Sequence, residues 1–310
     1  TPGPGGLRMT EAGGPQGFRL RRRLARLLGE RPMAYLLHLR PLEWPIMTAH
    51  FLLGTLLAAG LDLPGKASLL GWFVFVALMN GGTLAINSAF DQDEGDIGYL
   101  KAPPRPPEHL AAFSAVLLGA SALLGFLLPL PFALINLGCV AMSVLYSVPP
   151  ARLKARAGWD LLINCLGFGL LTPLAGWALT ARPFSPAILL AALGFAFLFA
   201  TLYPMTQIYQ VAEDSRRGDR TLVIQVGVGR SLALALVAAL IAHGCFAAAV
   251  LGMGRGPLFL LPSLLAWGVV LIPWLRNWRT WTDARHEAGM YWGLAAWAVT
   301  DLSLLALLWP

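Results

Sequence analysis

The chain has 310 residues, 57% of them hydrophobic and only 13% charged, with a mean hydropathy of +0.64 and a formal net charge of +7. A soluble domain carries about 25% charged residues, so this chain cannot hide its apolar surface by folding on itself, and lipid must solvate part of it. In so apolar a chain the excess of Lys and Arg sorts to the cytoplasmic membrane edge; no nucleic-acid partner is expected.

The first segment differs from the rest. Residues 1–17 form a Gly/Pro-rich tract with no expected fixed structure, and Arg19 to Arg31 form a basic, amphipathic stretch suited to an anionic lipid surface. Residues 1–30 therefore read as a flexible basic segment, and 31–310 as one transmembrane domain. No apolar run ending in a small-residue cleavage site precedes this stretch, so no signal peptide is expected.

Apolar runs of about 20 residues then predict an all-α polytopic bundle of nine helices around a central apolar chamber. The spans are 42–60, 68–90, 109–128, 131–147, 158–178, 186–209, 230–252, 257–275 and 287–309. Prolines mark many boundaries, among them Pro64, Pro129, Pro149, Pro183 and Pro257. Helices are expected rather than strands because each span must satisfy its own backbone in hydrocarbon. With this topology, twenty of the 23 Lys and Arg fall on the side of the N-terminus, leaving only Lys66, Arg182 and Arg255 opposite. That asymmetry puts the N-terminus in the cytoplasm and, with nine spans, the C-terminus outside.

Within the spans, Cys139, Cys165 and Cys245 show neither disulfide nor metal spacing and read as small core residues. The five histidines contain no zinc-binding pair. His50, His243 and Asp301 are intramembrane ionisable groups; interhelical hydrogen bonds account for the histidines, and Asp301 has no partner at a recognisable spacing. The late tryptophans, Trp274, Trp278, Trp281, Trp292 and Trp297, fit interface anchoring and bundle filling.

Two loops on the basic side share a pattern. Asn87-Ser-Ala-Phe-Asp91-Gln-Asp93-Glu94-Gly95-Asp96 and Gln210-Val-Ala-Glu213-Asp214-Ser-Arg-Arg-Gly218-Asp219 both read amide, three residues, Asp, three residues, Gly-Asp. Each begins where a predicted membrane helix ends. On a helix, i and i+4 are neighbours, so Asn87 with Asp91, and Gln210 with Asp214, aim paired oxygens at one spot. Gly95 and Gly218 let the chain leave in the left-handed region. Seven of the sixteen acidic residues fall in these stretches. One acidic loop is what caps a helix and solvates a turn; two matching loops on one face, beside basic residues, fit Mg²⁺ bridging acids to a diphosphate.

These residues resemble the UbiA superfamily of intramembrane prenyltransferases, whose members carry NDxxDxxxD after the second helix and DxxxD after the sixth. Asn87 and Asp91 fall on the first anchors; Ser88 replaces an Asp, Gly95 takes the last Asp position with Asp96 one residue later, and Gln210 replaces the first Asp of the second motif. Gly218 to Leu222, continued to Gly227, is similar to the family's GxxTLPVxxG. Tyr146-Ser-Val-Pro-Pro-Ala-Arg152-Leu-Lys154 and Arg40-Pro-Leu-Glu-Trp44-Pro look like the YSxPPxRxK and RPxTW phrases of the chlorophyll-synthase-like branch.

The resemblance implies a Mg²⁺-dependent transferase that ionises a polyprenyl diphosphate and lets the carbocation alkylate a lipophilic or aromatic acceptor inside the membrane. It assigns Asp91 and Asp214 as catalytic, and Asn87, Asp91, Asp96, Gln210 and Asp214 as metal ligands, with Asp93 an alternative to Asp96. Lys101, Arg105, Tyr146 and Lys154 are diphosphate-binding candidates; each cation is also explicable as a positive-inside residue, and Tyr146 as an interfacial aromatic. Arg40 and Asn164 are acceptor-site candidates by analogy. Two other readings are a terpene cyclase of the same fold and a secondary transporter, the latter disfavoured because the acids sit at helix ends rather than at the midplane. The family's location implies an integral protein of a bacterial inner membrane.

Overall fold

The computed structural model describes residues 26–91, 100 and 103–308. An amphipathic helix α1 (Glu30–His38) precedes the spans, and its Leu36 is exposed. The spans follow: α2 (Trp44–Ala59), α3 (Gly65–Asp91), α4 (Leu110–Gly125), α5 (Leu130–Ser147), α6 (Trp159–Ala178) and α7 (Pro186–Ile208). Two short helices, α8 (Val211–Arg217) and α9 (Leu222–Val226), lead into α10 (Val228–Gly252), α11 (Pro257–Thr280) and α12 (Asp283–Leu308). Seven of these are long and apolar enough to cross a membrane, and α2 and α4 are apolar helices of 16 residues each. All nine predicted spans are helical, and no strand occurs among the described residues. The chain is an integral membrane protein with an all-helical bundle.

Helix starts follow local chemistry. Pro45, Pro131 and Pro186 occupy first-turn positions, where a missing N–H costs nothing. Before α7 the Ser185 Oγ accepts from the Ile188 N–H at 3.3 Å. The structure places the turn between α4 and α5 at Phe126–Pro129 rather than at 128–131, and starts α12 at Asp283 rather than 287, capped by Thr282 Oγ1 accepting from the Arg285 N–H. Polar cap and first-turn residues carry no hydropathy signal, which is why the apolar scan starts the helix late.

Two segments widen into π-helix: Phe73–Asn80 within α3 and Cys165–Leu171 within α6. Such bulges displace side chains relative to the α register; Met79, Asn80, Gly167 and Phe168 of these segments line the cavity described below.

One apolar cluster is built by α7, α10, α11 and α12 around Phe195, Phe246, Trp267 and Trp274, and a second by α2, α3, α5 and α6 around Phe51, Phe75 and Phe132. Burying Leu against Leu gains little in lipid, so close packing of small residues does the joining. The α2–α6 contact is the sharpest case. A Cβ on Gly54 would lie 1.8 Å from the Pro173 carbonyl oxygen, and one on Gly176 would lie 1.9 Å from that of Phe51. Thr55 Oγ1 donates to the Gly176 carbonyl at 2.9 Å across the same seam.

The intramembrane polar groups divide. His243 is saturated: its ring nitrogens contact the Ala239 carbonyl and Ser263 Oγ, each at 2.8 Å, and Ser263 continues to Thr300 Oγ1 at 2.7 Å. His50 makes one long contact to the Gly169 carbonyl (3.4 Å), and its Nδ1 is buried without a hydrogen bond. Asp301 is buried beside Trp297. Trp274 is a core residue donating to His286 Nδ1 (2.8 Å), Trp292 is exposed, and Trp297 lines the cavity.

Candidate active site

The two motif segments meet at one end of the bundle, on a basic segment that connects α5 to α6. α3 ends at Asp91, and Asn87 lies one turn earlier. Asn87 Oδ1 accepts from Lys154 Nζ at 3.1 Å and lies 3.5 Å from Ser147 Oγ. The Lys154 ammonium is also ion-paired with Asp91 Oδ1, both side chains being nearly buried. The paired oxygens expected from the i, i+4 spacing thus converge on a single cation.

Arg152 joins this pair to the second motif. Its Nη1 lies 3.2 Å from Asp219 Oδ1 and its Nη2 3.8 Å from Asp91 Oδ1. Its backbone is left-handed (φ 34°) at the start of the Leu153–Ala155 turn; a conformation unusual for a side chain with a Cβ turns Arg152 and Lys154 toward the acids. The Arg220 N–H donates to the Ala155 carbonyl at 3.4 Å, in a bridge between Arg156 and Arg220. Sequence reading quoted Arg152 but gave it no role, because any Arg on this face is also explained by membrane topology.

The second motif differs from expectation in one respect. α7 ends at Ile208, and Gln210 is the N-cap of the separate helix α8 rather than part of the last membrane turn. The ladder tightens there: the Gln210 N–H bonds the Gln207 carbonyl (3.0 Å), and that of Asp214 bonds the Gln210 carbonyl (2.9 Å). The Gln210 side chain contacts Tyr209 Oη at 3.4 Å. Gly218 ends α8 in the left-handed region (φ 75°), the exit expected of it.

Beneath this end lies a cavity of about 410 Å³ walled by α2, α3, α5, α6, α7 and α12. Asn87, Tyr146, Asn164 and Gln210 face it at the motif end; Phe168, Phe199 and Trp297 form an aromatic wall. The Tyr146 and Tyr203 hydroxyls are 3.2 Å apart, and Tyr146 also bonds Asn164. Asp214 lies within electrostatic reach of Tyr146. Arg40 also lines the cavity, buried and left-handed (φ 48°), with Nη2 3.4 Å from Ser88 Oγ, Nη1 3.9 Å from Glu43, and a buried Nε with no hydrogen bond. Ser88, where the family pattern has Asp, therefore meets this guanidinium.

Of the expected residues, Asn87, Asp91, Tyr146, Lys154, Asn164, Gln210, Asp214 and Arg40 gather around the motif end and the cavity. Arg105 does not; it is exposed, with no side-chain bond among the described residues. Asp93, Asp96 and Lys101 lie outside the described residues. No three His, Cys, Asp or Glu side chains converge as a ready metal site among the described residues.

Sequence reasoning also missed Asp160. It is fully buried in the first turn of α6, and its Oδ2 accepts from Gln207 Nε2 at 2.9 Å and from the Leu222 N–H at 3.2 Å. An acid opening a helix reads as an ordinary dipole partner, so nothing in the local sequence separates it from a solvated one.

Comparison with known proteins gives one consistent result. The sequence profile of the UbiA prenyltransferase family matches residues 47–298. No curated protein matches the chain. Solved structures similar to it include a UbiA homolog from Archaeoglobus fulgidus bound to GPP and Mg²⁺, with a TM-score of 0.68 and 21% identity, covering 86% of this chain and 99% of that one. The same homolog bound to DMAPP and Mg²⁺ aligns with a TM-score of 0.61, 19% identity and the same coverage. A digeranylgeranylglyceryl phosphate synthase aligns with a TM-score of 0.68 and 17% identity, over 90% of this chain and 99% of that one.

Proposed function

The chain belongs to the UbiA prenyltransferase family, and from that membership and the geometry of its acidic end we propose that it transfers a prenyl group from a polyprenyl diphosphate to a lipophilic or aromatic acceptor within the membrane. The observation that carries the reading is the junction of the two acidic segments on Arg152 and Lys154, at the mouth of a cavity with an aromatic wall.

The diphosphate binds at the junction. Its charge grows as the allylic C–O bond breaks, so groups fixed beforehand to meet that charge lower the barrier. Lys154 and Arg152 are the protein's own cations there, with the Tyr146 hydroxyl as a further donor. The donor set suits Mg²⁺: amide and carboxylate oxygens of Asn87 and Asp91 already share one cation, and Asp214 and Gln210 supply more oxygen from the second segment, with Asp96 as a further candidate. Mg²⁺, when bound, neutralises diphosphate charge and supports its departure. Two solved structures of the Archaeoglobus homolog carry GPP or DMAPP together with Mg²⁺, which supports the reading.

The carbocation left behind must be kept from water. Phe168, Phe199 and Trp297 offer π faces that favour positive charge and exclude solvent. Arg40 and Asn164 are assigned to the acceptor. The Arg40 Nε–H, buried without a partner beside the cavity, is the group best placed to donate a hydrogen bond to it. In this reading residues 31–310 form one catalytic domain in a bacterial inner membrane, with the acidic end and N-terminus cytoplasmic.

The test is transfer from labelled geranyl diphosphate and longer isoprenoid diphosphates in nanodiscs, with and without Mg²⁺, across a panel of phenolic and lipid acceptors. Acceptor-dependent, Mg²⁺-dependent product supports the proposal. A hydrocarbon formed without acceptor means cyclisation instead. Substrate flux in proteoliposomes without bond cleavage means transport.

A further inference from the structure

We propose that Asp160 is the positioning residue of the second acidic segment: its one buried carboxylate staples both the entrance and the exit of that segment, and so sets the segment's register against the first. The inference rests on the diphosphate and Mg²⁺ reading above.

The connections are specific. Gln207 precedes the segment by three residues and donates from Nε2 to Asp160 Oδ2 at 2.9 Å. Leu222 follows Asp219 by three residues and donates its backbone N–H to the same oxygen at 3.2 Å. Gln207 Oε1 in turn accepts the Val223 N–H at 3.4 Å. Entrance and exit of the stretch from Gln210 to Asp219 are thereby held on two facing side chains.

Leu222 and Val223 open α9, which has only five residues. So short a helix cannot nucleate itself, and its own N-cap, Thr221, makes no side-chain cap; the Thr221 Oγ1 is buried without a partner. The first N–H groups of α9 are satisfied instead by Asp160 and Gln207, from α6 and α7. From that fixed start the chain runs back to Asp219 on Arg152, and through Arg152 to Asp91.

The surroundings of Asp160 support a dedicated role. Asp160 is fully buried, its donors are neutral amides, and no cation pairs with it among the described residues. An apolar residue would hold two helices at a lower desolvation cost, whereas a carboxylate oxygen can accept two N–H groups at once. Groups behind metal ligands typically change metal affinity or activity by about 10–100-fold.

The experiment is a Mg²⁺ titration of labelled geranyl diphosphate binding to the full chain in nanodiscs, beside melting temperatures in metal-free buffer. Asp160→Ala removes the oxygen that accepts from both Gln207 and Leu222, and is expected to raise the half-saturating Mg²⁺ concentration about 10-fold or more. Leu222→Pro removes only the N–H that Asp160 accepts, at a first-turn position that tolerates proline, and should give the same rise with the metal-free melting temperature little changed. Asp160→Asn can place its amide oxygen where Oδ2 stands and accept both N–H groups, and should keep the Mg²⁺ requirement within about threefold of the parent.

An Asp160→Ala or Leu222→Pro chain that stays folded with the parent's Mg²⁺ requirement overturns the inference, and so does an Asp160→Asn chain as impaired as Asp160→Ala. If Asp160→Ala does not fold, Leu222→Pro decides with Asp160→Asn. A parent chain that binds no geranyl diphosphate at any Mg²⁺ concentration overturns the proposed function, and this inference with it.

Discussion

Arg152 and Asp219 meet at 3.2 Å although 67 residues separate them, and the other arm of the same guanidinium reaches Asp91 at 3.8 Å. One side chain from the loop between α5 and α6 therefore spans both halves of the internal repeat. Each half presents acids, and the segment between them supplies the countercharge through Arg152 and Lys154.

The acids themselves give the first prediction. Asp91→Asn and Asp214→Asn should each lower Mg²⁺-dependent prenyl transfer by about 100-fold or more, the scale of losing a group that stabilises developing charge. Steady-state kinetics over a Mg²⁺ titration measure it. Full activity in either variant removes that residue from the metal site.

Lys154 shares its ammonium between Asn87 and Asp91. Lys154→Met should leave those oxygens free for metal while removing a cation from the leaving group. The expected result is a kcat lower by about 100-fold with Mg²⁺ still bound. Separate measurements of turnover and of Mg²⁺-dependent geranyl diphosphate binding distinguish this from simple loss of the site.

A third prediction concerns the α2–α6 seam. Gly54→Ala or Gly176→Ala would place a methyl group under 2 Å from a backbone carbonyl of the other helix, and backbone cannot yield as a side chain can. Overpacking typically costs about 1–3 kcal/mol; this contact belongs at or above the upper end. Thermal melting in detergent reads the loss, and Gly119→Ala, at an open position, serves as control.

His38 sets the fourth. It is fully buried outside the membrane spans, with Nε2 3.1 Å from the Pro104 carbonyl and Nδ1 without a hydrogen bond. Burial lowers its pKa below the ordinary 6.5, a shift the Pro104 contact partly offsets and the Arg40 charge reinforces. The unfolded chain then takes up a proton at a pH where the folded chain does not. Stability is full above about pH 6.5 and falls as pH drops through 6.5 toward the lower folded value. Melting curves at pH 7.5 and 5.5 should show an acid loss that His38→Gln, which keeps a donor for Pro104, reduces.

Much of this architecture was legible in the residues. Nine apolar runs became nine helices because lipid enforces both hydropathy and length, and Asn87, Asp91 and Gly218 behaved as their spacing required. What stayed hidden depended on distance in sequence. Gln210 opens a new helix because Gln207, one turn earlier, is tied to Asp160 and Val223, and no local pattern announces that tie. Arg152 and Asp160 carry common residue types at common places; only their partners, 47 to 67 residues away, distinguish them. Gly54 and Gly176 likewise look like any of 33 glycines until the opposite backbone is known.

The lengths of the first-half helices carry a consequence for the lipid around them. α4 has 16 residues and α5 has 18, so they rise about 24 and 27 Å, against a hydrocarbon core of about 30 Å. Val116, Leu123 and Leu134 on this hairpin are exposed. That edge is shorter than the hydrocarbon core, while α10, with 25 residues, meets the opposite mismatch. The two edges of the bundle thus ask different hydrocarbon thicknesses of the surrounding lipid, a difference that helix tilt, flanking side chains and local thinning share between them.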